Sequence, residues 1–194
     1  MLSIRKVAAL FFMLLAALLT GCTIHYASSA VIAPVDSPIG RMVIVVQNGE
    51  FKKANMASTF GNQNLHSLVP HLESRLPVVF AMNGIETRAV TPGADGKPAP
   101  IKLEPNEATM FIIPVSAFYS TQSGQHLTLR ALLMAPNSSK LVWKADIELG
   151  TPGFGKFDAD LADGIAVDLL KKLRDDKMIK LPDDEVHRPA EAKS

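Results

Sequence analysis

The run K-L-V-W-K-A-D-I-E-L at residues 140–149 alternates apolar and polar side chains, and this alternation decides the fold class. One face of an extended chain here carries only apolar side chains: Leu141, Trp143, Ala145, Ile147 and Leu149. Three of the four positions between them are charged. A period of two is typical of a strand with one face against a core and the other in water. The sequence therefore predicts a sheet that is covered on one side.

Two further strand-like runs precede this one, at residues 110–119 and 126–135, with Ser-Gly and Pro-Asn-Ser-Ser turn sequences between the three. Such short connections predict an antiparallel meander. Pro114 cannot donate a hydrogen bond to the sheet, which predicts a bulge or an edge in the first run. Upstream, residues 41–47 read as a buried strand and residues 85–90 as a short one.

Two helices are predicted to supply the cover. Apolar residues recur every three or four positions from Leu65 to Phe80, and Asn83-Gly84 can close that helix in a left-handed conformation. A second helix, at about 157–176, begins with aspartates and ends with lysines and an arginine, which complements the helix dipole. Together the elements predict an α+β fold, a mainly antiparallel sheet with two amphipathic helices packed on one face.

The remaining segments give the predicted domain organisation. Polar residues 48–64 and proline-rich residues 91–106 are expected to be loops. The domains are a signal peptide at 1–21, a lipidated tether without regular structure at 22–40, one α+β domain at 41–181, and a disordered charged tail at 182–194.

The signal peptide is indicated by two basic residues, Arg5 and Lys6, before an unbroken apolar run at 7–19. A helix of that length spans about 20 Å, well short of the ~30 Å hydrocarbon core of a bilayer. The run therefore favours a cleaved export signal over a permanent membrane span.

Directly behind the apolar run, Leu19-Thr20-Gly21-Cys22 resembles the lipobox of bacterial lipoproteins, and Cys22 is the one cysteine of the chain. The resemblance implies cleavage between Gly21 and Cys22, a thioether-linked diacylglycerol on Cys22, and usually a third acyl chain, often palmitate, on its amine. Two or three acyl chains would hold the protein on a membrane almost permanently. Because residue 23 is Thr and not Asp, the resemblance implies the periplasmic face of the outer membrane, with the inner membrane less favoured. An ordinary secretory signal with an incidental cysteine is the alternative.

The charge and composition exclude one class of partner. The chain has 20 Lys+Arg and 19 Asp+Glu, and two of the basic residues lie in the signal peptide, so the mature chain is close to neutral. With 6% aromatic residues it also lacks the stacking surfaces of RNA-binding modules. We therefore expect no nucleic-acid partner.

A second resemblance covers about the last seventy residues. The strand segment K-L-V-W-K-A, followed by a helix that begins near F-D-A-D-L-A, is similar to small periplasmic lipoprotein domains. The nearest are the penicillin-binding-protein activator lipoproteins and the curli-secretion and Tol-system domains.

Three candidate sites for chemistry have simpler structural interpretations. The glycine-rich segment 150–157 has P-loop spacing, but Phe157 stands where a nucleotide site needs Ser or Thr, so a strand-to-helix turn is favoured. His66 and His71 lie about 140° apart on a helix and cannot share one metal ion.

The third candidate is a triad of Ser120, His126 and Asp146, which lacks the sequence that frames a nucleophile. The carboxylates Asp158, Asp160, Asp163 and Asp168 serve equally well as helix-dipole partners. The sequence therefore predicts no catalytic residue, no metal and no cofactor.

Two hypotheses for function follow. The preferred one is a non-catalytic accessory lipoprotein, anchored through Cys22, that docks to an envelope protein complex. The alternative is a carrier or sensor of a small apolar ligand, such as a lipid or cell-wall fragment. A binding surface is assigned to Trp143, Phe111, Phe118 and Tyr119, although aromatic residues on strands also commonly fill a core.

Overall fold

The computed structural model describes residues 24–47, 49, 51, 56–90, 102–120, 124–151, 157–181 and 186–189. The elements in chain order are β1 (Ile24–Val31), β2 (Arg41–Val46), α1 (Met56–Met82), β3 (Glu86–Val90), β4 (Ala108–Ser120), β5 (Gly124–Met134), β6 (Leu141–Thr151) and α2 (Ala159–Asp175). Neither helix of this part of the chain combines the length and hydrophobicity that a membrane crossing requires.

The six strands form one sheet in the order β1-β6-β5-β4-β2-β3. Strands β4, β5 and β6 are the predicted antiparallel meander, and β1 adds to β6 in the antiparallel sense. Strand β2 runs parallel to both of its neighbours, β3 and β4. The register between β4 and β5 shifts between Pro114 and Ser116, so of the two predicted alternatives at Pro114, a bulge or an edge, the structure shows the bulge. The sheet is thus mixed and mostly antiparallel, and the predicted α+β class is confirmed.

Both helices pack against the same face of this sheet and form one core with it. The sheet contributes every second residue of its strands, such as Trp143, Ala145, Ile147 and Leu149 of β6 and Leu127, Leu129, Ala131 and Leu133 of β5. The helices contribute Leu68, Leu72, Leu76 and Phe80 of α1 and Leu161, Ile165, Leu169 and Leu173 of α2. Burying a large apolar side chain contributes about 1.5–3 kcal/mol, so this cluster is the main source of stability.

Helix α1 begins earlier than the sequence predicts. Residues 56–64, which were expected to be part of a loop, belong to this helix. Polar residues interrupt the apolar pattern there, which hides the helix from a periodicity argument. Gly61 faces β4 so closely that an added Cβ would collide with Ala117, so the absent side chain lets helix and sheet approach. At the other end, Gly84 has φ 79° and the Ile85 amide donates to the Phe80 carbonyl at 3.0 Å, which confirms the predicted cap.

Helix α2 is joined to α1 by a partly buried ion pair. Asp163 is 3% exposed, and its two oxygens accept hydrogen bonds from Nε and Nη2 of Arg75 at 2.7 and 2.5 Å. The helix begins at Asp158, whose carboxylate accepts the Leu161 amide at 3.2 Å. Asp163 therefore links the helices, a role beyond the dipole interaction that its position in the sequence predicts.

The structure corrects both predicted boundaries of the domain. Strand β1 lies within the segment 22–40 that was expected to be an irregular tether. Its small side chains show no clear alternation, and pairing with β6 makes it a strand. In the predicted disordered tail, the His187 amide donates to Oδ1 of Asn83 at 2.8 Å and Nδ2 of Asn83 donates to the His187 carbonyl at 2.9 Å. Several predicted segments lie outside the described residues: the signal peptide with Gly21, Cys22 itself, residues 91–101 of the predicted loop at 91–106, and residues 182–185 and 190–194 of that tail.

Candidate functional site

One edge of the sheet, β1, is long, regular and free of charge. All eight of its residues pair with β6 without a bulge, and its sequence I-H-Y-A-S-S-A-V contains no proline, lysine, arginine or carboxylate. Tyr26 is 63% and Val31 48% exposed. Natural edge strands usually carry charges, prolines or bulges that prevent pairing with another chain. Among the described residues nothing pairs with the outer side of β1, so this edge is available for a further strand.

The opposite edge, β3, has five residues and is charged. Glu86 accepts hydrogen bonds from Nε and Nη2 of Arg41 at 2.7 and 2.9 Å. Arg88 donates to the two carboxylate oxygens of Glu107 at 2.8 and 2.7 Å, and to the Lys102 carbonyl at 2.8 Å. Short length and fixed charges are the usual protection of an edge strand, so β3 does not offer a pairing surface.

The ion pairs keep their carboxylates charged. The hydrogen bonds from Arg88 lower the pKa of Glu107 below the ordinary value, although burial of Glu107 acts in the opposite direction. Hydrogen bonds from Arg41 lower the pKa of Glu86 in the same way, and those from Arg130 lower the pKa of Asp146. A carboxylate held as an anion at neutral pH is typical of a structural ion pair and is a poor proton donor.

The two ends of the sheet also differ. Ile24 pairs with Gly150, Gly150 with His126, and His126 with Phe118, so these four residues mark one end, called here the Ile24 end. Arg41 and its β3 partner Glu86 begin their strands at the opposite, Arg41 end.

At the Arg41 end, residues 34–41 and 135–138 line an open cleft of about 510 Å³. The cleft lies between loops and contacts Arg41, Asn106 and Lys140. It does not lie between the sheet and the helices, where a carrier of an apolar ligand would hold its cargo.

The structure separates the four aromatic residues that the sequence analysis assigns to one binding surface. Trp143 is completely buried in the core, and its Nε1 donates to Asp176 at 2.7 Å, so it lines no surface. Phe111 is half-buried on the sheet face away from the helices. Phe118 and Tyr119 are 52% and 51% exposed, both at the Ile24 end. The alternation in residues 140–149 already placed Trp143 with the core residues, so the sequence contained the signal for its burial.

The serine, histidine and aspartate considered as a triad do not converge. The Asp146 carboxylate accepts a hydrogen bond from Nε of Arg130 at 2.6 Å. His126 pairs with Gly150 of β6, which lies four residues after Asp146 on that strand. At ~3.3 Å per residue this separates the histidine and the carboxylate by about 13 Å.

The other candidate sites also have structural roles or lie outside the described residues. On α1, His66 is exposed and His71 half-buried, and the described residues include no group of three side chains that could hold a metal ion. Of the glycine-rich segment, Gly150 and Thr151 end β6 and Phe157 is buried in the core, while 152–156 fall outside the described residues.

Comparison with known proteins gives distant structural likeness alone. No protein-family model and no curated protein matches the sequence. Among solved structures, the chain is similar to two structures of the PelC dodecamer from Paraburkholderia phytofirmans. One of the two is the point variant L103M. The variant is 15% identical with a TM-score of 0.39, and the other is 13% identical with a TM-score of 0.40. Each match covers 81% of this chain and 99% of the PelC chain.

Proposed function

We propose that this chain is a lipid-anchored, non-catalytic lipoprotein of the bacterial envelope that docks a partner protein through the edge of β1. The anchor is the acylated Cys22 of the lipobox-like sequence, and the favoured location is the periplasmic face of the outer membrane. The three carboxylates with a lowered pKa, Glu86, Glu107 and Asp146, are each held as anions by an arginine and are assigned a structural role.

The observation that carries the docking proposal is the unprotected edge of β1. An extended segment of a partner would pair with the outer side of Ile24–Val31, and exposed Val31 would pack against its side chains. Addition of a strand supplies affinity through main-chain hydrogen bonds and specificity through alternate side chains. The other edge, β3, is short and charged, so the two edges differ and only β1 is proposed as the docking edge.

The alternative, carriage of a small apolar ligand, has less support. The space between sheet and helices is filled by one continuous cluster of buried side chains, and the cleft at the Arg41 end is formed by loops. An apolar carrier needs a concave apolar site. Docking is therefore the better interpretation of this fold.

The test is photo-crosslinking in cells of the full chain, with a photoreactive amino acid at Ser28 of β1 or at Glu86 of β3. Ser28 is exposed on the open edge, and Glu86 is the matched position on the protected edge. The expected result is a partner adduct from Ser28 that is absent from Glu86, absent after Cys22→Ala, and abolished by Ser28→Lys. A lysine at this position is the kind of charge that natural edges use against pairing, and it faces Asp146 across the β1–β6 pair, so the fold is preserved.

Identical adducts from both edges, or adducts that survive Ser28→Lys, would overturn docking through β1. An adduct of twice the mass of the chain would assign the edge to a second copy and overturn the partner-protein proposal. An unmodified Cys22 by intact mass spectrometry would overturn the lipid anchor independently of the docking result.

A further inference from the structure

The Ile24 end of the sheet carries exposed aromatic side chains. Tyr26, Phe118 and Tyr119 are each more than half exposed there. The outermost strand residues at this end contain no Lys, Arg, Asp or Glu: 24–25, 117–120, 124–127 and 149–151. The next strand residue of β6 is the exposed Glu148, which pairs with Tyr26. Tyrosine is enriched at membrane surfaces, where one end of its ring is apolar and the other end is wet.

The exposed rings are distributed across the end and one of them is fixed. Strands β1 and β4 are separated by β6 and β5, so at ~4.8 Å per strand Tyr26 and Phe118 stand about 14 Å apart across the sheet. The Phe118 ring stacks on His126 with centroids 4.4 Å apart and planes parallel within 1°. Both Phe118 and Tyr26 project from the face opposite the helices, and Tyr119 from the helix side. The aromatic residues thus form a rim around the end and not a single patch.

The chain enters the sheet at this same end. Cys22 precedes Ile24 by two residues, and two residues of fully extended chain span at most about 7 Å. A lipid on Cys22 would therefore place its acyl chains directly beside the Ile24 end, with no tether to hold the domain away from the bilayer. Amphipathic segments at membrane surfaces insert aromatic and aliphatic side chains about 5–10 Å into the headgroup region, and this aromatic rim is within that reach.

We infer that the Ile24 end of the sheet rests on the lipid bilayer, with Tyr26, Phe118 and Tyr119 in the headgroup region and the Arg41 end directed away from the membrane. The inference rests on the proposed lipid anchor at Cys22. A cluster of ion pairs lies at the opposite end, in water: Arg41, Glu86, Arg88, Glu104 and Glu107. The domain would stand upright on the membrane and hold the β1 edge at a fixed orientation to the bilayer.

The test uses the thiol chemistry of the full chain, because an acylated Cys22 has no free thiol. Tyr119→Cys, Ser116→Cys and Ser139→Cys each provide one site for an environment-sensitive fluorophore. Tyr119 is the informative position, since it lies on β4, three strands away from β1 and the anchor. Ser139 lies in the turn before β6, at the Arg41 end, and is exposed.

The labelled proteins are reconstituted in phosphatidylethanolamine–phosphatidylglycerol vesicles that contain a spin-labelled quencher lipid. The expected quenching is several-fold greater at residue 119 than at residue 139, with residue 116 between them. Equal quenching at 119 and 139 would overturn the upright contact, and protection of residue 119 without quenching would show that protein covers the rim.

A failure of the anchor has a different signature. Without a lipid on Cys22, intact mass spectrometry shows no added acyl mass, the fluorophore labels a second site, and the protein does not float with vesicles. Circular dichroism of each variant verifies folding. If Tyr119→Cys does not fold, quenching at residue 116 is compared with quenching at residue 139.

Discussion

The two edges of the sheet differ in a way that the shared core does not require. Edge β3 is short and is secured by the ion pairs of Arg41 with Glu86 and of Arg88 with Glu107. Edge β1 is longer, uncharged, and depends on its ladder with β6 and on Ala27, which reaches the core. Both strands complete the same sheet, so the stability of the sheet does not require one edge to be charged and the other uncharged. Among the described residues, the difference leaves β1 open to a further strand, which the proposed docking role requires.

The largest expected effect tests whether β1 belongs to the domain at all. Ala27 is 5% exposed and faces the core opposite Ile147, so Ala27→Asp places an unpaired carboxylate in an apolar site. We expect a loss of about 3 kcal/mol in the free energy of unfolding, measured by urea denaturation of the full chain in detergent.

The matched control is Ala30→Asp on the same strand, which faces away from the helices opposite Lys144 and should change stability by less than about 0.5 kcal/mol. If both variants were equally stable, β1 would behave as a tether, and the comparison of the two edges would fail.

A smaller effect is expected at the protected edge. Arg88→Met leaves the Glu107 carboxylate, whose side chain is 7% exposed, without its main partner. Because Arg88 itself is 42% exposed, water screens the pair, and we expect a loss of about 1–2 kcal/mol by urea denaturation.

Arg41→Met is the comparison variant, since the Arg41–Glu86 pair is exposed on both sides and should contribute less. An equal loss in the two variants would mean that burial of Glu107 does not govern the stability of this edge.

The smallest effect appears as a dependence on pH. The pKa of Glu107 is lower in the folded protein than its ordinary value of 4.5. Its contribution is therefore complete above about pH 4.5 and is lost as the pH falls through the lowered pKa of the folded state. The melting temperature of Glu107→Gln should fall less between pH 5 and pH 3 than that of the unmodified chain. Parallel curves for the two proteins would assign the acid sensitivity to other carboxylates.

Much of the fold was predictable because its central elements carry strong periodic patterns. The meander and α2 follow from alternation and from apolar positions three and four residues apart. Strand β1 was missed because its side chains are small and their pattern weak, so its pairing with β6 decides its structure. The strand order was not predictable either, since β2 lies between β4 and β3 although it precedes both in the chain.

For the candidate site, sequence provided the residues but not their arrangement. Phe118 and Tyr119 were predicted to contribute to a surface and are exposed, whereas Trp143 lies in the core. An open edge is a property of the assembled sheet, and no pattern within residues 24–31 distinguishes an edge strand from a paired one. The lipobox-like sequence and the exposed aromatic residues of β4 are far apart in the chain. Only the register of the strands places Ile24 and Phe118 at the same end of the sheet.

The contact between Asn83 and His187 has a practical consequence for engineering. Asn83 directly follows α1, which ends beside the start of β3, so the two hydrogen bonds hold residue 187 near the Arg41 end. In the proposed orientation, a reporter or affinity tag fused beyond residue 189 would be attached on the side remote from the bilayer, about 30 Å from the Ile24 end along the length of the sheet. The fold would serve as an upright display scaffold, with its cargo presented to the aqueous compartment.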